Sequence, residues 1–211
     1  MTLQPTDILE DVSRETRDRL EILARLIAKW TPAINLIAPS TVPEIWTRHI
    51  RDSAQIVPLI PVSTQDHLDL GTGSGCPGLV VAAIAAEIRP DLHTTLIEAD
   101  QRKAAFLRTA IREMGLTATL FAQRIEEIEI PQADLITARA FAPLSRLLSI
   151  AQRFCHAQTR LILHKGRQLD SELTEARRDW HIEATVQPSL TAPDAAILTI
   201  TRFAPRGDPM S

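Results

Sequence analysis

The spacing of apolar and polar positions divides the chain into helical stripes and short buried runs. Across residues 6–30, Leu20, Leu23, Ile27 and Trp30 recur at three- and four-residue intervals, with Thr16, Arg17, Asp18 and Arg19 between turns. That stripe predicts one amphipathic helix, ending at Thr31-Pro32 because the residue before a proline is pushed out of helical backbone. A second helix is predicted from Pro43 to about Leu59, with Ile45, Ile50, Ile56 and Val57 on its buried side. Beyond it, strand-like runs at 67–70, 93–98, 117–121, 133–137 and 160–164 alternate with helical runs at 79–86, 100–114, 144–154 and 168–179. Such alternation predicts an α/β fold: a central parallel sheet with helices on both faces. Two last strands, 181–187 and 195–203, have no helix between them and predict a hairpin at one sheet edge.

The sheet does not require the two leading helices. We therefore expect an N-terminal helical segment over residues 1–62 packed on a core over 63–205, with 206–211 as a frayed tail. The chain shows no internal repeat or low-complexity segment.

Composition narrows the class. The 211 residues are 45% hydrophobic and 23% charged, as expected of a soluble globular protein. Cys76 and Cys155 are the two cysteines, too few for a disulfide framework, and no Cys/His spacing suggests a metal site. No basic segment leads into an apolar one at the amino terminus, and no apolar run could span a bilayer, so a cytoplasmic protein without a membrane partner is expected. The net charge of −3 announces no nucleic-acid partner globally, and any such contact would need a local basic face.

The chemistry concentrates in Asp69-Leu-Gly71-Thr-Gly73-Ser-Gly75-Cys76-Pro77-Gly78. A strand, a glycine-rich turn and an uncharged helix make a nucleotide-type site at the carboxyl edge of a parallel sheet. The short match Gly73-x-Gly75-x-x-Gly78 also fits a dinucleotide fingerprint. With Asp69 added, the pattern resembles the first motif of the class I S-adenosylmethionine (SAM) methyltransferases, whose Rossmann-like sheet it implies. Glu98 ends the next strand at the interval where ribose-binding acids sit. Ile125 and Glu126 fall in the loop after the third strand, at the adenine edge of such folds. Arg139 and Phe141 follow the fourth strand and are positioning candidates: an arginine suits a carboxylate or phosphate, and a phenylalanine stacks on a base. Arg48, His49 and Arg51, with Lys165 and Arg167, could form the local basic face, or else a solvated one.

Several further segments make a more specific match. Asn35-Leu-Ile-Ala38, Arg48-His-Ile-Arg-Asp-Ser53, the loop to Pro77-Gly78, Arg102-Lys103 with Phe106-Leu-Arg108, Arg139-Ala-Phe-Ala142 and Lys165-Gly166 occur in the order found in one family. Over roughly residues 30–170 the chain resembles the bacterial RsmG (GidB) family of small-subunit (16S) ribosomal RNA guanine-N7 methyltransferases. It departs from that pattern at Cys76 and Arg51. The resemblance implies SAM contacts at Gly71, Cys76, Ile125, Glu126 and Arg139, to which loop geometry adds Gly73 and Gly75 and the strand-end argument adds Glu98. It also implies 16S rRNA, as a 30S subunit or assembly intermediate, as partner; a monomer that binds no DNA is expected.

Acceptor chemistry points the same way. Cytosine or uracil C5 needs a cysteine nucleophile, but Cys76 lies in the cofactor loop and Cys155 follows a helix. An exocyclic amine calls for an Asn/Asp-Pro-Pro-aromatic signature where this chain has Thr137-Ala-Arg-Ala-Phe-Ala142. Guanine N7 has an in-plane lone pair and no proton to remove, so direct displacement needs no general base. The product ring is cationic, and Glu126 or an aromatic face is expected to offset that charge. The alternatives are an NAD(P)-dependent oxidoreductase, favoured by the short glycine match alone, and a SAM- or RNA-binding module without catalysis.

Overall fold

The structure, a computed structural model, describes residues 8–207. Its helices are α1 (Arg14–Ile34), α2 (Asp52–Ala54), α3 (Gly78–Ile88), α4 (Gln101–Glu113), α5 (Leu144–Ala151) and α6 (Leu169–Asp179). The strands are β1 (Asp66–Leu70), β2 (His93–Ile97), β3 (Ala118–Phe121), β4 (Ala133–Arg139), β5 (Cys155–Lys165), β6 (Trp180–Pro188) and β7 (Ala196–Pro205). They form one seven-stranded sheet in the order β3-β2-β1-β4-β5-β7-β6. Strands β1 to β5 run parallel, while β7 lies antiparallel to β5 and β6 antiparallel to β7, which places the expected hairpin at one edge.

Alternation along the strands builds two cores, because successive side chains point to opposite sheet faces. Leu96, Leu135, Ile162 and Ile197 join a cluster with α1, α3 and α4, whereas their neighbours Ile97, Ile136, Leu161 and Leu198 join one with α5 and α6. Helix α3 is buried from Gly78 through Ala85, which explains its lack of a polar face. Each fully buried side chain such as Leu79 or Ile84 contributes about 1.5–3 kcal/mol. The first charge in α3, Glu87, does specific work: its carboxylate accepts from the Ser13 amide and hydroxyl and the Thr16 hydroxyl, fastening the start of α1. Further along, Trp30 of α1 meets Phe106 of α4 edge-on at 5.8 Å.

The N-terminal segment departs from its expected helices. Within the described residues, α1 begins only at Arg14, where Ser13 caps the Thr16 amide, and residues 6–7 lie outside them. Helix α1 runs through Pro32 to Ile34 and is closed by Asn35 in the left-handed region (φ 50°). Pro32 has no amide to give the Ala28 carbonyl, yet the helix continues past it, and the stop comes from Asn35, which tolerates the left-handed backbone. The expected second helix is instead a 3-10 stretch (Pro39–Glu44), a π-helical turn (Trp46–Arg51), α2 and a short 3-10 turn (Val57–Leu59). Pro43 and Pro58 lack amide donors and interrupt a regular helix. Ile45, Ile50, Ile56 and Val57 are buried all the same. At the other end, the Arg206 amide and guanidinium bond to the carbonyls of Asp179 and Arg177, so this residue is held rather than frayed; residues 208–211 lie outside the described range.

Candidate functional site

Strand β1 pairs with β2 on one side and β4 on the other, and the helices after β1 and β4 leave by opposite faces. A crevice therefore opens beyond the carboxyl ends of β1 and β4, where ligands bind in open α/β sheets. The glycine loop lies there. At Gly71 the backbone has φ 65°, and an added Cβ would run into the Phe141 ring, so only glycine lets the loop and the aromatic close on each other.

A buried polar chain supports the loop from below. The Thr94 hydroxyl meets His67 Nδ1 at 3.3 Å, His67 Nε2 meets the Thr137 hydroxyl at 2.8 Å, and Thr137 donates to Asp69 Oδ1 at 2.6 Å. Asp69 Oδ2 accepts the Gly78 amide at the start of α3, at 3.1 Å. Thr137 has one proton and gives it to Asp69, so His67 carries its proton on Nε2 and accepts from Thr94. Burial lowers the His67 pKa to about 3, keeping the ring neutral. Burial also pushes the Asp69 carboxyl up to about 6, against the bonds from Thr137, Thr72 and Gly78. The motif aspartate thus joins β1, β4 and α3 in one hydrogen-bonded unit.

Glu98 at the end of β2 is buried, and its two oxygens accept the amides of Gly73 (2.9 Å) and Asp100 (2.8 Å). A carboxylate has about four acceptor positions, so two remain for ligand hydroxyls. A cavity of about 350 Å³ opens beside it, with Gly71, Glu98, Ile125, Glu126 and Phe141 on its wall and Lys103, Arg124 and Arg146 also lining it. That volume lies in the range of small-molecule sites. An acid for ribose, a glycine loop without side-chain bulk and the Ile125–Glu126 edge fit an adenosine-bearing cofactor. Gly73, Gly75, Cys76 and Arg139 do not line this cavity. Cys76 is buried beneath the loop, where burial raises its thiol pKa.

Arg139 turns toward the N-terminal segment. Its guanidinium donates to the Arg48 carbonyl (3.2 Å), Asp52 Oδ2 (3.3 Å) and His49 Nδ1 (2.7 Å). As arginine only donates, His49 accepts at Nδ1 and offers Nε2–H to the Thr41 hydroxyl at 2.9 Å. Burial and the adjacent Arg139 lower the His49 pKa to about 4. Asp52 also receives the Thr191 hydroxyl at 2.6 Å and the Gln55 amide at 2.8 Å. Burial would raise its carboxyl, but His164, Thr191 and Arg139 around it hold the pKa below the usual range. One cluster thus links the π-helical turn, the end of β4 and the β6–β7 connection.

A second cavity, about 540 Å³, lies on the other side of Phe141. Ala140, Phe141 and Ala142 line both cavities, and Ala140 has φ 52°, a left-handed backbone that costs an L-residue about 1–2 kcal/mol. Its polar wall is Asp52, His164, Lys165, Gln168 and Glu172. His164 Nε2 donates to the Asp52 carbonyl at 2.9 Å, while its buried Nδ1 has no hydrogen-bond partner among the described residues. Burial lowers the His164 pKa more than Asp52 raises it. Lys165 Nζ lies 2.7 Å from Glu172 Oε2, which also accepts the Leu144 amide at the start of α5.

The structure thus brings Gly71, Glu98, Ile125, Glu126 and Phe141 together and separates the basic candidates. Arg48 and Arg167 are largely exposed, but His49 is buried and neutral, and Lys165 is buried in an ion pair. The five residues do not make one exposed cationic face, because the His49 ring and the Lys165 side chain turn toward internal partners. Glu126 belongs to the first cavity, beside Arg124, so the acids at the second are Asp52 and Glu172 rather than Glu126. His164 and Glu172 escape sequence reading, and Asp52 is legible only as a member of the Arg48–Ser53 segment, because the chain does not show which partners each of them meets.

A family model described as rRNA small subunit methyltransferase G (GidB) matches residues 16–199. Ribosomal RNA small subunit methyltransferase G of Rhodospirillum centenum is 48% identical over 196 residues, covering 93% of this chain and 88% of that protein. The protein of the same name from Cereibacter sphaeroides is 46% identical over 194 residues, covering 92% and 94%. Among solved structures, the ribosomal protein L11 methylase of Lactobacillus delbrueckii subsp. bulgaricus superposes with a TM-score of 0.58 at 16% identity, covering 73% of this chain and 78% of that one. A putative O-methyltransferase from Klebsiella pneumoniae gives 0.54 at 20% identity, covering 90% of each. At such identities the structures establish a shared fold.

Proposed function

Because the chain belongs to the rRNA small subunit methyltransferase G family, we propose that it methylates N7 of a guanine in 16S rRNA, in a loop near the decoding site, by direct displacement. The substrate is the RNA within a small-subunit particle or an assembly intermediate, met in the cytoplasm by a monomeric enzyme. When bound, S-adenosylmethionine supplies an electrophilic methyl group on a sulfonium sulfur. Glu98 would hold the ribose, the Ile125–Glu126 edge the adenine, and the Gly71 backbone the remainder. Phe141, between the two cavities, would form the platform against which acceptor and methyl donor are aligned. Alignment of this kind supplies about 7–11 kcal/mol of a displacement barrier.

The observation carrying the N7 assignment is that the carboxylates on the second cavity's wall, Asp52 and Glu172, are each engaged with protein cations and donors. Asp52 is held by Thr191 and Arg139, His164 by the Asp52 carbonyl, and Lys165 and Glu172 by each other. Neither cysteine lines either of the two cavities. A nitrogen acceptor that must lose no proton suits such a wall. Asp52 and Glu172 at the same wall would offset the charge of the methylated ring.

The test is transfer from labelled SAM to unmethylated small-subunit particles, followed by borohydride–aniline cleavage. One cleavage in the decoding-site loop is expected. Label uptake without cleavage would exclude N7 as the acceptor.

A further inference from the structure

We propose that Lys165 and Glu172 read the Watson–Crick edge of the target base in the second cavity, making that cavity the specificity pocket for guanine. This rests on the guanine-N7 reading above and assigns the residues that enforce it. With N7 turned toward the methyl donor, the opposite edge of guanine presents O6, an acceptor, beside N1–H and the 2-amino group, both donors. The pocket offers the complement side by side: a Lys165 ammonium 2.7 Å from a Glu172 carboxylate oxygen. Both known bonds to Glu172 use Oε2, so Oε1 remains to accept from the base. Lys165 Nζ has three donors, of which two go to Glu172 and, at 3.4 Å, to the Ala142 carbonyl. The third serves O6.

One further feature points to a ligand here. The backbone between the two cavities holds Ala140 in the left-handed region, the kind of strain found at functional turns. Adenine reverses the polarity of the edge, with a donor at position 6 and an acceptor at N1. It would leave Lys165 and Glu172 facing like partners, and sites built to hydrogen-bond reject such analogues strongly.

The experiment uses small-subunit particles assembled with guanosine or inosine at the target position; inosine lacks only the 2-amino group. The wild-type enzyme should prefer guanosine by about 10- to 100-fold in kcat/KM, the value of one hydrogen bond to a charged group. Glu172→Gln should lower activity on guanosine and shrink the preference to below about threefold, because the charge-assisted bond is the stronger one. The double variant K165M/E172L removes both charges and leaves neither buried alone; it should lose the preference equally. SAM affinity, measured by calorimetry, should stay within about twofold in all of them, since the cofactor cavity lies across Phe141. A guanosine preference that survives in both variants, or is absent from the wild type, overturns the pocket assignment while leaving N7 methylation intact. Methylation by the wild type of another atom or base overturns the N7 reading and the pocket with it.

Discussion

Two backbone positions carry the geometry of the site. A Cβ on Gly78 would stand 2.6 Å from Asp69 Oδ2 and 2.9 Å from Asp69 Cβ, in the bond that ties β1 to α3. Gly78→Ala should therefore cost about 1–3 kcal/mol, read as a lower urea midpoint at unchanged m-value. Ala140 makes the opposite case. Glycine reaches φ 52° freely, so Ala140→Gly should gain up to about 1 kcal/mol after the entropic cost of glycine. If Ala140 holds the two cavities in register, kcat should fall in this variant while thermal stability holds or rises; a rise in both would remove that role.

Among the elements, the polar chain from β2 through β1 to β4 sets how stability responds to acid. The folded His67 pKa is depressed from 6.5 to about 3, so its contribution is present above pH 6.5 and is lost as pH falls. Asp69, raised from 3.8 to about 6, behaves in the opposite sense: its contribution is present below pH 3.8 and is lost as pH rises through about 6. Between pH 6 and 4 these two slopes cancel, and His49, depressed to about 4, together with His164, held below its usual value by burial, tips the balance toward loss on acidification. The His67 share of the slope is about 1.4 kcal/mol per pH unit. Replacing His67 by Asn should lower the slope by about that amount in urea titrations from pH 6 to 4; an unchanged slope would show that His67 does not carry this term. The Asp52 cluster joins this carboxylate to partners 87 and 139 residues away in sequence. Asp52→Ala leaves the partly buried Arg139 guanidinium without its carboxylate and should cost about 1.5–3 kcal/mol in chemical denaturation.

For the whole molecule, an acidic chain must meet RNA through local cations. Arg48 and Arg167 are exposed, with ion-pair partners among the described residues at 3.9 Å, and Lys103 and Arg146 line the first cavity. Each one that contacts a phosphate should flatten the salt dependence of particle binding by about 0.7–0.9 in log–log slope when changed to alanine. His49→Ala should leave the slope alone, because that ring is buried and neutral.

Much of this was legible in the chain. Period-two and period-four patterns are local, and they announced the strand–helix alternation, the edge hairpin and the sides of the buried residues. The glycine loop and Glu98 were legible because a sharp turn at a sheet edge demands particular residue types at short spacing. The chain also marked Ile45, Ile50, Ile56 and Val57 as buried, but not the broken helix that buries them. Which polar groups would meet was decided by the tertiary structure alone. Arg139 could have faced a ligand or a neighbour; packing of the N-terminal segment against the end of β4 gave it His49 and Asp52. Lys165 read as a surface cation until β5 and α6 set it against Glu172. Backbone preference acts over a few residues and is written in the sequence, whereas the partner of a buried charge is chosen by the desolvation it must avoid, and that depends on every element packed around it.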